Sequence, residues 1–192
     1  MSAADAMAGG PTRYGAVAIA LHWIIAFSIL GLMGVGVWMT DLKPSPRTFE
    51  IYALHKSAGL LVLALAAFRL IWRVTHRPPA LPASTPRWQA WAAGATHAAL
   101  YALMLALPIT GWLQHSAAGY PLRWFGLFKV PALIGRDREA LAFWQQWHEW
   151  LAWALAALIL LHVAAALKHH FLDRDGLLGR MWPARAAPGD PA

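Results

Sequence analysis

The 192 residues are 59% hydrophobic and 13% charged, with a mean hydropathy of +0.44; soluble domains carry about 25% charged residues, so a water-soluble globule is excluded. The formal charge of +7 comes from basic residues set beside apolar runs, not in a groove or a nucleic-acid motif, which points to membrane topology and anionic lipid instead of nucleic acid. The absence of cysteine excludes a disulfide scaffold, a thiolate metal site, an iron–sulfur cluster held by this chain and cofactor attachment through C-x-x-C-H.

The opening "MSAADAMAGGPTRYG" leads directly into an uncharged run, Ala16 to Met39, too long for the core of a cleaved signal peptide and without an evident small-residue cleavage site beyond it. As a helix this run crosses a hydrocarbon core about 30 Å thick. A polar, proline-broken link, "TDLKPSPRTFE", precedes the second predicted span, Ile51 to Trp72. That span holds Lys56 near one end and Arg69 near the other, where both can snorkel. The link "RVTHRPPALPASTPRW" is an irregular surface connection. The third span is drawn from Trp91 to Leu113, with Pro108 expected to bend it. The mixed link from His115 to Leu141 contains "PLRWFGLF", a segment suited to the membrane interface. The fourth span is Phe143 to Leu167. Tryptophans cluster near the ends of these runs, where an indole keeps its N–H wet. The expectation is an all-α, integral membrane four-helix bundle over 13–181, followed by a disordered tail, 182–192. Arg and Lys in the second link and tail favour the cytoplasm for both termini.

Histidines inside such spans carry the functional signal, because a polar ring in hydrocarbon needs a partner and is functional by default. In the fourth span His148 and His162 are fourteen residues apart, almost four helical turns, so they share a face at depths separated by about 21 Å. Topology places His22 at the inner depth and His55 at the outer. The pairing is then His22 with His162 and His55 with His148, two axial nitrogens from facing helices at each depth, as a b-type haem requires. Zinc fits less well, since no span offers a tight ligand set; His169 and His170 read as interfacial. Gly36, on the His22 face at outer depth, and Gly59, one turn from His55, either let a flat cofactor approach or pack helices. Arg69 lies fourteen residues after His55, at inner depth, where it can meet a haem propionate; Lys56 can do so outside. His97, one turn before Tyr101, is open between three roles: an inner iron ligand, a hydrogen-bond donor to a quinone carbonyl, or a polar contact within the bundle. His115 lies near the outer surface.

The segments "RYGAVAIALHW", "ALHKSAGLLVLALAAFRLIWR", "THAALYALMLALPITGWL", "WHEWLAWALAALILLHVAAALKHHF" and "DRDGLLGRM", in this order, resemble the bacterial di-haem cytochrome b561 family, and more distantly the cytochrome b subunits of nickel-iron hydrogenases and formate dehydrogenases. The resemblance runs from Arg13 to Met181. It implies a bacterial inner-membrane protein whose four helices hold two b-type haems, with His22 and His162 as ligands of the inner one and His55 and His148 of the outer. It further implies electron exchange between ubiquinone and a partner or small oxidant; some members oxidise superoxide at the periplasmic face. On that basis superoxide:ubiquinone oxidoreductase is the first expectation, with His97 and Tyr101 as an inner quinone site and His115 as the outer candidate. An electron-transfer or anchor subunit for a separate hydrogenase, dehydrogenase or periplasmic oxidoreductase is the alternative.

Overall fold

The computed structural model describes residues 13–82 and 85–182. Four long helices dominate it: α1 (Ala16–Thr40), α2 (Pro46–Thr75), α3 (Arg87–Ala118) and α4 (Arg138–Lys168). Each is long and apolar enough to cross a membrane, and all outrun the spans drawn from hydropathy, α2 and α4 because polar caps set their starts. Ser45 accepts the Thr48 N–H at 3.1 Å and Pro46 supplies the first helical position of α2. Asp137 accepts the N–H groups of Glu139 and Ala140 at 2.8 and 3.1 Å at the start of α4. α3 continues through Pro108 and ends at Gly119, whose φ of 79° is the left-handed conformation that closes a helix. α4 passes into a π turn, His169–Asp173, and a 3-10 turn, Leu178–Met181, follows.

Few side chains are fully buried. Leu21, Ile25, Ile29, Val62 and Leu155 form the centre, with Leu65, Leu100, Met104 and Leu107 against them. Large apolar residues such as Phe27, Leu54, Leu160 and Leu161 stay exposed on the bundle's outer surface, as lipid-facing positions should.

The centre has a regular placement. Ile29 lies seven residues from both His22 and Gly36, Val62 seven from both His55 and Arg69, Met104 seven from both His97 and Gly111, and Leu155 seven from both His148 and His162. Seven residues are nearly two helical turns, so each helix keeps one face inward across three layers. The inner layer is His22, Arg69, His97 and His162; the middle one is apolar; the outer one is Gly36, His55, Gly111 and His148.

The link between α3 and α4 holds the segment read as suited to the membrane interface. It forms an antiparallel hairpin, β1 (Leu122–Trp124) with β2 (Phe128–Val130), around a three-residue loop. Phe125 and Gly126 both have positive φ, 45° and 77°. The hairpin docks on α2: Ser57 Oγ accepts the Phe125 N–H at 3.0 Å, and the Trp124 indole donates to the Ser57 carbonyl at 3.1 Å. Of the expected disordered tail only Trp182 is described, and its carbonyl accepts from Arg13 at 2.7 Å; residues 183–192 lie outside the described part of the chain.

Candidate functional site

The inner layer brings three imidazoles together. The His22 and His162 ring centroids are 6.3 Å apart at 70°, and His97 lies 5.5 Å from His162 at 64°. His97 therefore belongs to the same cluster as the pair singled out in the sequence. Arg69 reaches into it, donating to the Ala18 carbonyl at 2.7 Å and to His22 Nδ1 at 3.4 Å. A guanidinium has no acceptor, so His22 carries its ring hydrogen on Nε2 while this contact holds. Tyr101, one turn after His97, is buried. His97 and Tyr101 line an open-sided groove of about 440 Å³ between α2 and α3, with Arg73 at its edge.

The outer layer is built differently. His148 Nδ1 lies 3.0 Å from the Leu107 carbonyl and 3.2 Å from Thr110 Oγ1. The carbonyl accepts only, and the Thr110 hydroxyl already donates to it at 2.7 Å. The hydrogen of His148 must therefore sit on Nδ1, which leaves Nε2 as a free lone pair, the arrangement that orients a metal-ligating histidine. His55 Nδ1 is buried without a protein partner, a condition that asks for an explanation. A Cβ on Gly111 would stand 3.0 Å from the His148 ring, and one on Gly36 would stand 3.4 Å from the His55 ring. Both glycines make room for an imidazole. A Cβ on Gly59, read as admitting a flat cofactor or packing helices, would meet nothing within 4 Å.

At the outer end Lys56 Nζ donates to His115 Nδ1 at 3.3 Å, and His115 Nε2 is buried without an acceptor. The structure thus joins two residues that the sequence treated separately. Gly111, Thr110, Leu107 and Ser57 were missed because nothing in the primary sequence marks a glycine or a carbonyl as facing a histidine from another helix. At the inner end of α4, His169 Nδ1 meets Asp175 at 2.6 Å and Asp173 at 3.1 Å, and Lys168 pairs with Asp173 at 2.6 Å. This charge cluster ties the end of α4 to the turn that follows, whereas His170 is exposed.

Two layers of histidine, separated by an apolar middle and drawn from all four helices, fit a pair of metal-centred cofactors at two depths. Comparisons with known proteins give the family. The family described as prokaryotic cytochrome b561 matches residues 13–184. Cytochrome b561 homolog 2 of Escherichia coli (strain K12) is 39% identical over 179 residues, covering 89% of this chain and 92% of its own. Cytochrome b561 homolog 1 of the same organism is 32% identical over 179 residues, covering 90% and 98%. The probable superoxide oxidase CybB of Yersinia pestis is 29% identical over 182 residues, covering 90% and 97%. With nearly full-length matches and four membrane-spanning helices, this chain belongs to the prokaryotic cytochrome b561 family, as a multi-pass electron-transfer protein of the bacterial inner membrane.

Proposed function

We propose that the chain holds two b-type haems, the inner one between His22 and His162 and the outer one between His55 and His148, and exchanges electrons with the ubiquinone pool. The observation that carries this reading is His148: its Nδ1 hydrogen is committed to the Leu107 carbonyl and its Nε2 is free, in a layer whose other positions are a second histidine and two glycines. The unpartnered His55 nitrogen supports it. At the inner depth, a 6.3 Å ring separation is about what two axial imidazoles need across one metal, given metal–nitrogen bonds of about 2 Å. Haem held in this way supplies one-electron chemistry at iron, with burial and hydrogen bonding to the ligands tuning its potential.

The remaining roles belong to side chains. For His22 to ligate through Nε2, its hydrogen moves to Nδ1 and Arg69 is released; a propionate is then the natural partner for that guanidinium. The groove beside His97 and Tyr101 suits a ubiquinone headgroup, with the His97 N–H as donor to a quinone carbonyl and Tyr101 holding the site closed toward the core. Lys56, with His115 behind it, gives the outer end a fixed positive charge that draws in a small anion. Superoxide is the first candidate, supported by the printed name of the Yersinia pestis relative.

The test combines composition with kinetics. Purified protein should carry two haems per chain, and anaerobic stopped-flow mixing with superoxide should reduce them and deliver electrons to ubiquinone. Protein with fewer than two haems after reconstitution removes the ligand assignment. Rapid reduction by quinol and reoxidation only by a copurified partner would instead identify a subunit of a larger oxidoreductase.

A further inference from the structure

Three segments are tied together at the end of the bundle where the described chain begins and finishes. Arg13 donates to the Trp182 carbonyl at 2.7 Å, the Tyr14 N–H to the Arg180 carbonyl at 3.3 Å, and the Trp23 indole to the Met181 carbonyl at 2.8 Å. Arg180 in turn donates to the Ala80 carbonyl in the second link. Against the Arg13–Tyr14 side of this frame lies a cavity of about 300 Å³ lined by Arg13, Arg69, Arg73 and Arg77, with Trp72 and Tyr101, and no carboxylate of the described residues lines it.

The four guanidiniums are not equally engaged. Arg69 is turned inward to Ala18 and His22, and Arg13 has one nitrogen on Trp182. Arg73 and Arg77 meet no hydrogen-bond or ion-pair partner among the described residues. Arg69 and Arg73 are four residues apart on α2, a spacing at which like charges on a helix repel, and Arg77 follows just beyond the helix end at Thr75. A cavity whose formally charged lining, among the described residues, is arginine alone is completed by an anion. The planar forks of arginine match phosphate oxygens two at a time, and basic pockets between membrane helices take lipid headgroups.

We propose that this cavity binds the phosphate of an anionic membrane phospholipid, held by Arg13, Arg73 and Arg77. The site lies beside the groove proposed for quinone, sharing Arg73 and Tyr101 with it. It does not depend on the histidine assignments, because none of its three phosphate-binding residues hydrogen-bonds to an imidazole of the inner layer.

Native mass spectrometry of the haem-loaded full chain in a neutral detergent, titrated with phosphatidylglycerol, phosphatidylcholine or inorganic phosphate, tests this. One phosphatidylglycerol should be retained per chain, at least about tenfold more tightly than phosphatidylcholine, because only the former brings net negative charge to the arginines. Arg73→Gln with Arg77→Gln should lower its retention about tenfold or more with haem content unchanged. Arg73→Lys with Arg77→Lys keeps the charge but not the fork, and should lose less; it carries the test if the glutamine pair does not fold. Lys43→Gln with Arg47→Gln, the same charge removed at the opposite end, should change nothing. Equal retention of the two lipids overturns the proposal, as does equal loss in the Lys43/Arg47 variant. Inorganic phosphate binding as tightly as the lipid would make free phosphate the ligand. Loss of haem with lipid retained would assign the arginines to the cofactor's carboxylates.

Discussion

Gly111→Ala tests the outer site with one methyl group. The added Cβ would stand 3.0 Å from His148 Cε1 and 3.2 Å from Nδ1, whereas carbon contacts are optimal from about 3.5 Å, so the ring must retreat by about 0.5 Å. It has little freedom to do so, because Nδ1 is held by the Leu107 carbonyl and Thr110. Either that hydrogen bond stretches, at about 1 kcal/mol, or α3 and α4 separate. Alanine gains about 1 kcal/mol of helix propensity over glycine, so the fold should survive while the ligand is mis-set. Disturbing the partner that orients a metal-bound histidine costs about 10–100-fold in affinity. Haem transfer to an excess apoprotein acceptor should therefore show one haem leaving at least about tenfold faster than in wild type and the other unchanged. Gly36→Ala, with 3.4 Å to the His55 ring, should be mild, and Gly59→Ala, with nothing within 4 Å, should be neutral or stabilising. Wild-type release from Gly111→Ala, or equal damage from Gly59→Ala, would refute the reasoning.

His148→Ala and His162→Ala should each leave a protein with one haem, and redox titration should show that a different step survives in each; loss of both haems from either variant would break the two-layer pairing. His97→Leu should keep two haems but raise the KM for quinol about tenfold, read in steady-state quinol oxidation, if its N–H serves the quinone as proposed; a one-haem product would make it an iron ligand instead. Ser57→Ala removes the acceptor of the Phe125 N–H and should cost about 1–2 kcal/mol locally, seen as faster hydrogen exchange across 122–130 with α4 unchanged.

The four helices were legible because their apolar runs are long and nearly uncharged, and the two depths because His148 and His162 recur on one helix at almost a whole number of turns. That His22 and His162 meet was legible too, since antiparallel spans fix which ends of the helices lie at one depth. What stayed hidden depends on relations between helices. Hydropathy cannot see Ser45 or Asp137 lengthening α2 and α4 beyond hydrocarbon. The hairpin at 122–130 has strands of three residues and positive φ at a phenylalanine, which residue preference argues against; it is held by Ser57, far away in the chain. Gly111 was passed over because the ring it makes room for, His148, faces it from another helix.

The same point explains why the two layers differ. Every helix repeats its inward face at seven-residue steps, yet the residue placed there alternates in kind: α1 carries His22 and then Gly36, α2 His55 and then Arg69, α3 His97 and then Gly111, α4 two histidines. Run antiparallel, these choices put three imidazoles and a guanidinium at one depth and two imidazoles with two glycines at the other. The outer layer is consequently preset, since its glycines admit the rings and the Leu107 carbonyl fixes the His148 hydrogen. The inner layer is not, since Arg69 holds the His22 ring in the opposite tautomer and has to let go before Nε2 can bind a metal. Arg69→Gln separates the two: it removes the competing guanidinium but also the partner proposed for a propionate. If the propionate contact dominates, inner haem should leave about tenfold faster, as for loss of a charge-assisted hydrogen bond, with outer release unchanged. Slower inner release would show instead that freeing His22 matters more, and a change at the outer haem would contradict the layered arrangement itself.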